Sequence, residues 1–186
     1  MANKIKYGIK NVYYAVATEG VGGVLTYATP VALPGAVSLS LDAQGDTNTF
    51  YADNIAYYTS TANNGYSGDL ELALLPDDFR TDVLGEVVDE NDLLVELSNT
   101  PTVEFALLFQ FEGDDSAARH CLYRCTASRP SVSGSTKEES IEPQTESVTI
   151  TAMPRINDEV VKSKCLEGGT GYSTWFTAVV EPDFTP

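Results

Sequence analysis

The chain has 186 residues, 42% of them hydrophobic and 20% charged, which fits one folded domain with a sizeable core and argues against a disordered chain or a tandem-domain enzyme. Twenty-seven acidic residues against eleven basic ones give a net charge of −16; nucleic-acid affinity comes mainly from Lys and Arg displacing counterions, so a sequence-reading DNA binder is all but excluded. From Asn11 to Ala118 the single base Arg80 stands against eighteen acids, while the remainder holds ten bases and nine acids. A well-solvated acidic surface explains this pattern, and so does assembly in which the basic end of one copy, with Lys4, Lys6 and Lys10, meets the acidic middle of another.

In chain order, Val12–Ala17 is the longest run without a polar break. It is too short for a secretory or transmembrane segment, so a soluble protein without export signal or membrane association is expected. That run and Val24–Tyr27 read as strands. Val37, Leu39 and Leu41 alternate with Ser38, Ser40 and Asp42, the signature of a half-buried strand. The stretch at about 43–68 departs from the pattern: turn residues such as Gly45, Asp46, Asp53, Asn54 and Asn63 are interleaved with Phe50, Tyr51, Tyr57, Tyr58 and Tyr66. A segment of that length without elements of its own is uncommon in a compact domain, so it reads as a long protruding hairpin arm whose rings bury against another chain. The alternative is a hairpin folded back on its own domain.

Leu70, Leu72 and Leu74 form the next alternation. Over Pro76–Leu84 the chain predicts a helix: Pro76 suits the first turn, Asp77 and Asp78 complement the helix dipole, Gly85 offers a left-handed stop, and Leu75, Phe79 and Val83 recur every four residues. Leu93–Leu97 is a further strand candidate. Val103, Phe105, Leu107, Phe109 and Phe111 alternate, with Leu108 on the other face marking burial on both sides of a central strand. Arg119–Ser128 is a further strand, and 129–145, rich in Ser, Pro and Gly, reads as a flexible surface loop. Val148, Ile150 and Ala152 point inward; Val160–Leu166 and the aromatic, β-branched segment Tyr172–Val180 are also expected to be strands. Roughly ten strands and one short helix predict a mainly β fold, an antiparallel β-sandwich with one flanking helix, in a single domain spanning 1–186.

Residues that carry chemistry are few. His120 is the only histidine, which removes metal sites needing two imidazoles. Cys121 and Cys125 lie beside it, but neighbouring residues of a strand face opposite ways, and four residues of strand are too far apart for a disulfide; reduced thiols acting as small hydrophobes are expected. Gly65-Tyr66-Ser67-Gly68 and Gly168-Gly169-Thr170-Gly171 lack the spacing of a nucleophile elbow or a phosphate loop and read as turns. The acidic clusters at Asp42–Asp46, Asp89–Asp92 and Glu112–Asp115 match no calcium loop. No catalytic residue, metal or cofactor is expected.

Whole segments carry a resemblance: Lys6-Tyr7-Gly8-Ile9-Lys10-Asn11-Val12-Tyr13-Tyr14-Ala15, Ala32-Leu33-Pro34-Gly35-Ala36-Val37, Phe50-Tyr51-Ala52-Asp53-Asn54, Gly65-Tyr66-Ser67-Gly68-Asp69-Leu70-Glu71, Arg129-Pro130-Ser131-Val132-Ser133-Gly134 and Glu142-Pro143-Gln144-Thr145-Glu146. Almost end to end, the chain resembles the major tail proteins of bacteriophages with long, non-contractile tails. The resemblance implies a β-sandwich flanked by one helix, with a long loop that bridges subunits. It implies homo-hexameric rings stacked around a tape-measure protein, closed by tail terminator and tail-tip proteins, with DNA passing through the lumen. The expected location is the virion tail, after synthesis and assembly in the cytoplasm of the bacterial host. A monomeric β-sandwich module binding carbohydrate or protein through its tyrosines is the alternative.

Overall fold

The computed structural model describes residues 4–114, 116–132, 134, 136 and 144–184, the side chains of Lys4 and Asp114 excepted. Most of the loop expected at 129–145 therefore lies outside the described residues. The chain runs β1 (Lys4–Glu19), β2 (Leu25–Tyr27), β3 (Val31–Ala32), β4 (Ala36–Gln44), β5 (Thr47–Ala52), β6 (Ile55–Thr61) and β7 (Gly65–Leu72). After α1 (Asp77–Asp82), the one α-helix among the described residues, come β8 (Val87–Val88), β9 (Leu94–Val95), β10 (Phe105–Asp114), β11 (Arg119–Ala127), β12 (Glu146–Met153) and β13 (Lys162–Cys165).

All pairings are antiparallel. The main sheet runs β2-β1-β10-β11-β12-β7-β4, with β3 on β1 and β13 on β11. It forks at β11, whose first half, Arg119–Leu122, pairs with β13 while Arg124–Ala127 pair with β12. The branch β12-β7-β4 curls back until β4, the terminal strand, comes within 8 Å of β1 without pairing to it. The result is a mainly β sandwich with one short helix.

Alternation decides what the two layers bury. Leu70 and Leu72 of β7, Phe105 and Leu107 of β10, and Val148, Ile150 and Ala152 of β12 all enter the larger core. Strand β10 is central, as its two apolar faces predict: Ala106 and Leu108 turn into a second cluster with Ala15, Cys121, Tyr123 and Trp175. The helix closes the larger core through Phe79, joined by Leu75 just before it and Val83 at its C-terminal cap. Phe79 meets Tyr14 and Phe105 edge-on at 5.1 and 5.6 Å between ring centres. Pro76 caps this helix instead of entering its first turn, and Gly85 at φ +76 ends it as expected.

Four further expectations are corrected. Tyr172–Val180 is a series of turns, not a strand; its amide donors bond within the segment, as from Ala178 to the Thr174 carbonyl, while Trp175, Phe176, Val179 and Val180 cover the outer face of β10 and β11. The aromatic and β-branched content reports burial there, not extended backbone. Gly65–Gly68 is part of β7 and not a turn: a Cβ on Gly65 or Gly68 would stand 1.9 Å from the carbonyl of Ala152 or Ser40, so these glycines let strands approach closely. Val37 is half-exposed because a register shift between Ala36 and Ser38 turns it outward. Leu74 is exposed beyond the end of β7.

Candidate assembly surface

The exposed aromatic rings concentrate on one ribbon. The β4–β7 ladder ends with Gln44 opposite Gly65. Beyond it the Asn64 N–H donates to the Gln44 carbonyl at 2.8 Å, and the Ala62 N–H donates to the Asp46 carbonyl at 3.0 Å. Pairing then resumes with Thr47 opposite Thr61, so the β5–β6 hairpin is an outgrowth of the β4–β7 pair. At its root Gly45 has φ +154, and a Cβ there would lie 1.9 Å from the Ala62 carbonyl oxygen. Glycine is what allows the two backbones to cross so closely. At the tip Asp53 and Asn54 have φ of 52° and 63°, the left-handed pair of a type I′ turn, whose twist matches that of the strands.

Phe50 lies opposite Tyr58 and Tyr51 opposite Ala56, with Tyr57 the additional residue at a bulge. Phe50, Tyr51, Ile55, Tyr57 and Tyr58 are each between 62% and 71% exposed. Singly exposed apolar side chains are ordinary on any surface, but five of them concentrate on this one ribbon, spread over its two faces. The hairpin belongs to a sheet of its own, and every residue of β6 is exposed.

The other residues singled out as interface candidates sit elsewhere. Tyr66 is in β7, half-buried in the body of the fold, and its hydroxyl accepts a hydrogen bond from Lys162. The Lys6 ammonium stands over the Phe111 ring, 4.4 Å from its centre. Lys10 forms an exposed ion pair with Glu112 at 3.3 Å. Lys4 is in β1, but its side chain lies outside the described residues. The four arm rings thus share one hairpin, while Lys6 and Tyr66 line a cleft of about 360 Å³ between β4–β7 and β10–β11.

A second surface is the polar face of β4, β7 and β12. Register places Ser38, Glu71 and Ser147 on one rung, Ser40, Asp69 and Thr149 on the next, and Asp42, Ser67 and Thr151 on the third. Each rung carries two hydroxyls and one carboxylate, and none carries a Lys or Arg. Ser38 donates to Glu71 at 2.8 Å and Thr149 to Asp69 at 2.7 Å. Thr145 and Ser38 together hold the Glu71 carboxyl below its usual range, because both hydroxyls bond to the charged form. At the margin of this face Arg124 is held by Glu104 at 2.8 Å.

The remaining sequence candidates are structural in their surroundings. His120 stacks on Phe109 at 5.2 Å between ring centres, while Cys121 faces the opposite cluster, where burial pushes its thiol up. Among the described residues no group of three His, Cys, Asp or Glu side chains is placed to hold a metal ion. No described helix is long and apolar enough to cross a membrane.

No protein-family model matches the sequence, and no curated protein does. Among solved structures, the chain is similar to the tube-terminating cap of the anti-feeding prophage, with 9% identity and a TM-score of 0.48 over 87% of this chain and 93% of that one. At that level the likeness carries no functional weight.

Proposed function

We propose that this protein is the tail-tube subunit of a phage with a long, non-contractile tail. It polymerises as stacked homo-hexameric rings around a tape-measure protein, meets terminator and tip proteins at the tube ends, and performs no catalysis. The observation that carries the reading is the β5–β6 arm, which projects from the sandwich with its large apolar side chains more than 60% exposed. Such an arm is of use to a protein whose neighbours cover it. The segment-by-segment resemblance of the sequence to tail-tube proteins supports the same assignment.

In the proposed tube the rungs of β4, β7 and β12 face the lumen. A conduit for a polyanion must avoid trapping phosphates, and trapping is the work of Lys and Arg. Fields are screened over ~8 Å at physiological ionic strength, so only side chains at the wall matter. A face of hydroxyls and carboxylates offers passing DNA repulsion and weak contacts, so it slides.

Electron microscopy of the purified protein tests this proposal. Rings or tubes with a central channel are the expected result. Uniform small monomers at every concentration and salt level would favour a ligand-binding module and defeat the tail-tube reading.

A further inference from the structure

We propose that the cleft at the root of the arm is the receptor for the arm tip of a second copy. The inference rests on the tail-tube reading for the identity of the partner, and on three observations for the site. The first is shape and lining. The cleft of about 360 Å³ opens between β4–β7 and β10–β11, with Leu41, Phe109, Phe111 and Leu122 among its walls. That size falls within the ~300–1,000 Å³ typical of sites that seat small organic groups, and it suits an aromatic side chain entering from outside.

The second observation is charge. Lys6 and Lys162 flank the opening, and each is poised over a ring, Lys6 over Phe111 at 4.4 Å and Lys162 over Tyr66 at 4.2 Å. Neither makes an ion pair among the described residues, whereas Lys10, Arg80, Arg124, Arg129 and Arg155 are each matched to carboxylates. In a chain with 27 acids for 11 bases, two cations gathered at one cleft without a carboxylate form a local positive site. The arm is its complement: between Ala43 and Gly68 it carries Asp46 and Asp53 and no base, with Asp53 in the tip turn beside Tyr51 and Tyr57. An acidic tip carrying exposed rings fits an aromatic cleft rimmed by two ammonium groups.

The third is topology. The cleft is at the arm's own root, lined by Leu39, Leu41 and Tyr66 of β4 and β7. Strands of six and seven residues at a rise of ~3.3 Å per residue carry the tip about 20 Å away from that root. The tip of one chain is therefore set to reach the cleft of another. Donor and receptor are different surfaces of the same chain, so the contact is heterologous, the kind that closes into rings or continues as open stacks.

A charge exchange between full-length chains tests the site, read as the concentration at which sedimentation velocity detects assemblies in physiological salt. Lys6→Glu with Lys162→Glu should raise that concentration at least tenfold. Asp53→Lys, made with Asn54→Gly to keep the two-residue turn, should do the same. An equimolar mixture of the two variants should recover assembly, since each then offers a tip of the sign the other's cleft accepts. Circular dichroism of each variant should match the parent. If the doubly reversed cleft variant assembles like the parent, or if the mixture fails to recover, the cleft is not the receptor, although the arm remains an assembly element. A parent chain that never associates removes the tail-tube reading itself.

Discussion

Tyr57→Ser with Tyr58→Ser should separate folding from assembly. The two rings are 71% and 62% exposed. A tyrosine presents ~200 Å², so complete burial on a neighbour would remove about 270 Å² from water. At ~25 cal/mol per Å² that burial is worth about 7 kcal/mol before costs. The phenolic oxygens are not apolar, and immobilising each side chain costs ~0.5–1.5 kcal/mol, leaving about 3–4 kcal/mol per arm. Since ~1.4 kcal/mol is tenfold in an equilibrium constant, the concentration needed for assembly should rise by two to three orders of magnitude. Analytical ultracentrifugation across a dilution series, with electron microscopy of the pelleted material, would measure it. Neither tyrosine belongs to the two core clusters, so the thermal midpoint of the monomer should move by no more than a surface change does, ~0.5 kcal/mol equivalent. An unchanged assembly threshold would refute the arm as an interface. A large fall in monomer stability would show that the rings pack on their own chain.

Other outcomes follow from the same geometry. Gly45→Ala sets a Cβ against the Ala62 carbonyl and should splay the ribbon at its root; amides of β5 and β6 should exchange at least tenfold faster, ~1.4 kcal/mol of local stability, while the core amides keep their protection. Phe79→Ala opens a cavity where α1 meets Tyr14 and Phe105 and should cost ~3–5 kcal/mol in denaturant unfolding. The carboxyls of Glu71 and Asp158 are both held below their usual values, the first by the Thr145 and Ser38 hydroxyls and the second by Arg155. Each stays charged to lower pH in the folded chain than in the unfolded one, so its contribution is complete at neutral pH. It is lost as the pH falls through the ordinary carboxylate range, below ~5, and Thr145→Val should flatten that acid limb of a stability profile.

Residues close in sequence announced a good part of this molecule. The alternation on β10 and β12 is a backbone property of period two, so it told which side chains enter the core before any partner strand was known. The helix was marked at both ends by Pro76, the paired aspartates and Gly85, because capping and dipole effects act within one turn. A hairpin over this stretch was visible because turn formers interrupt its ring-bearing runs, and turn chemistry acts between near neighbours. What sequence could not state were consequences of distant contacts. Nothing local says that β11 divides its edge between β12 and β13, that a register shift turns Val37 outward, or that Tyr172–Val180 covers a sheet instead of joining it. The cleft joins Lys6 to Lys162 and Tyr66 through the curl of the sheet. Local patterns fixed how each segment is built, and only the packing of segments far apart in the chain decided which surfaces they make together.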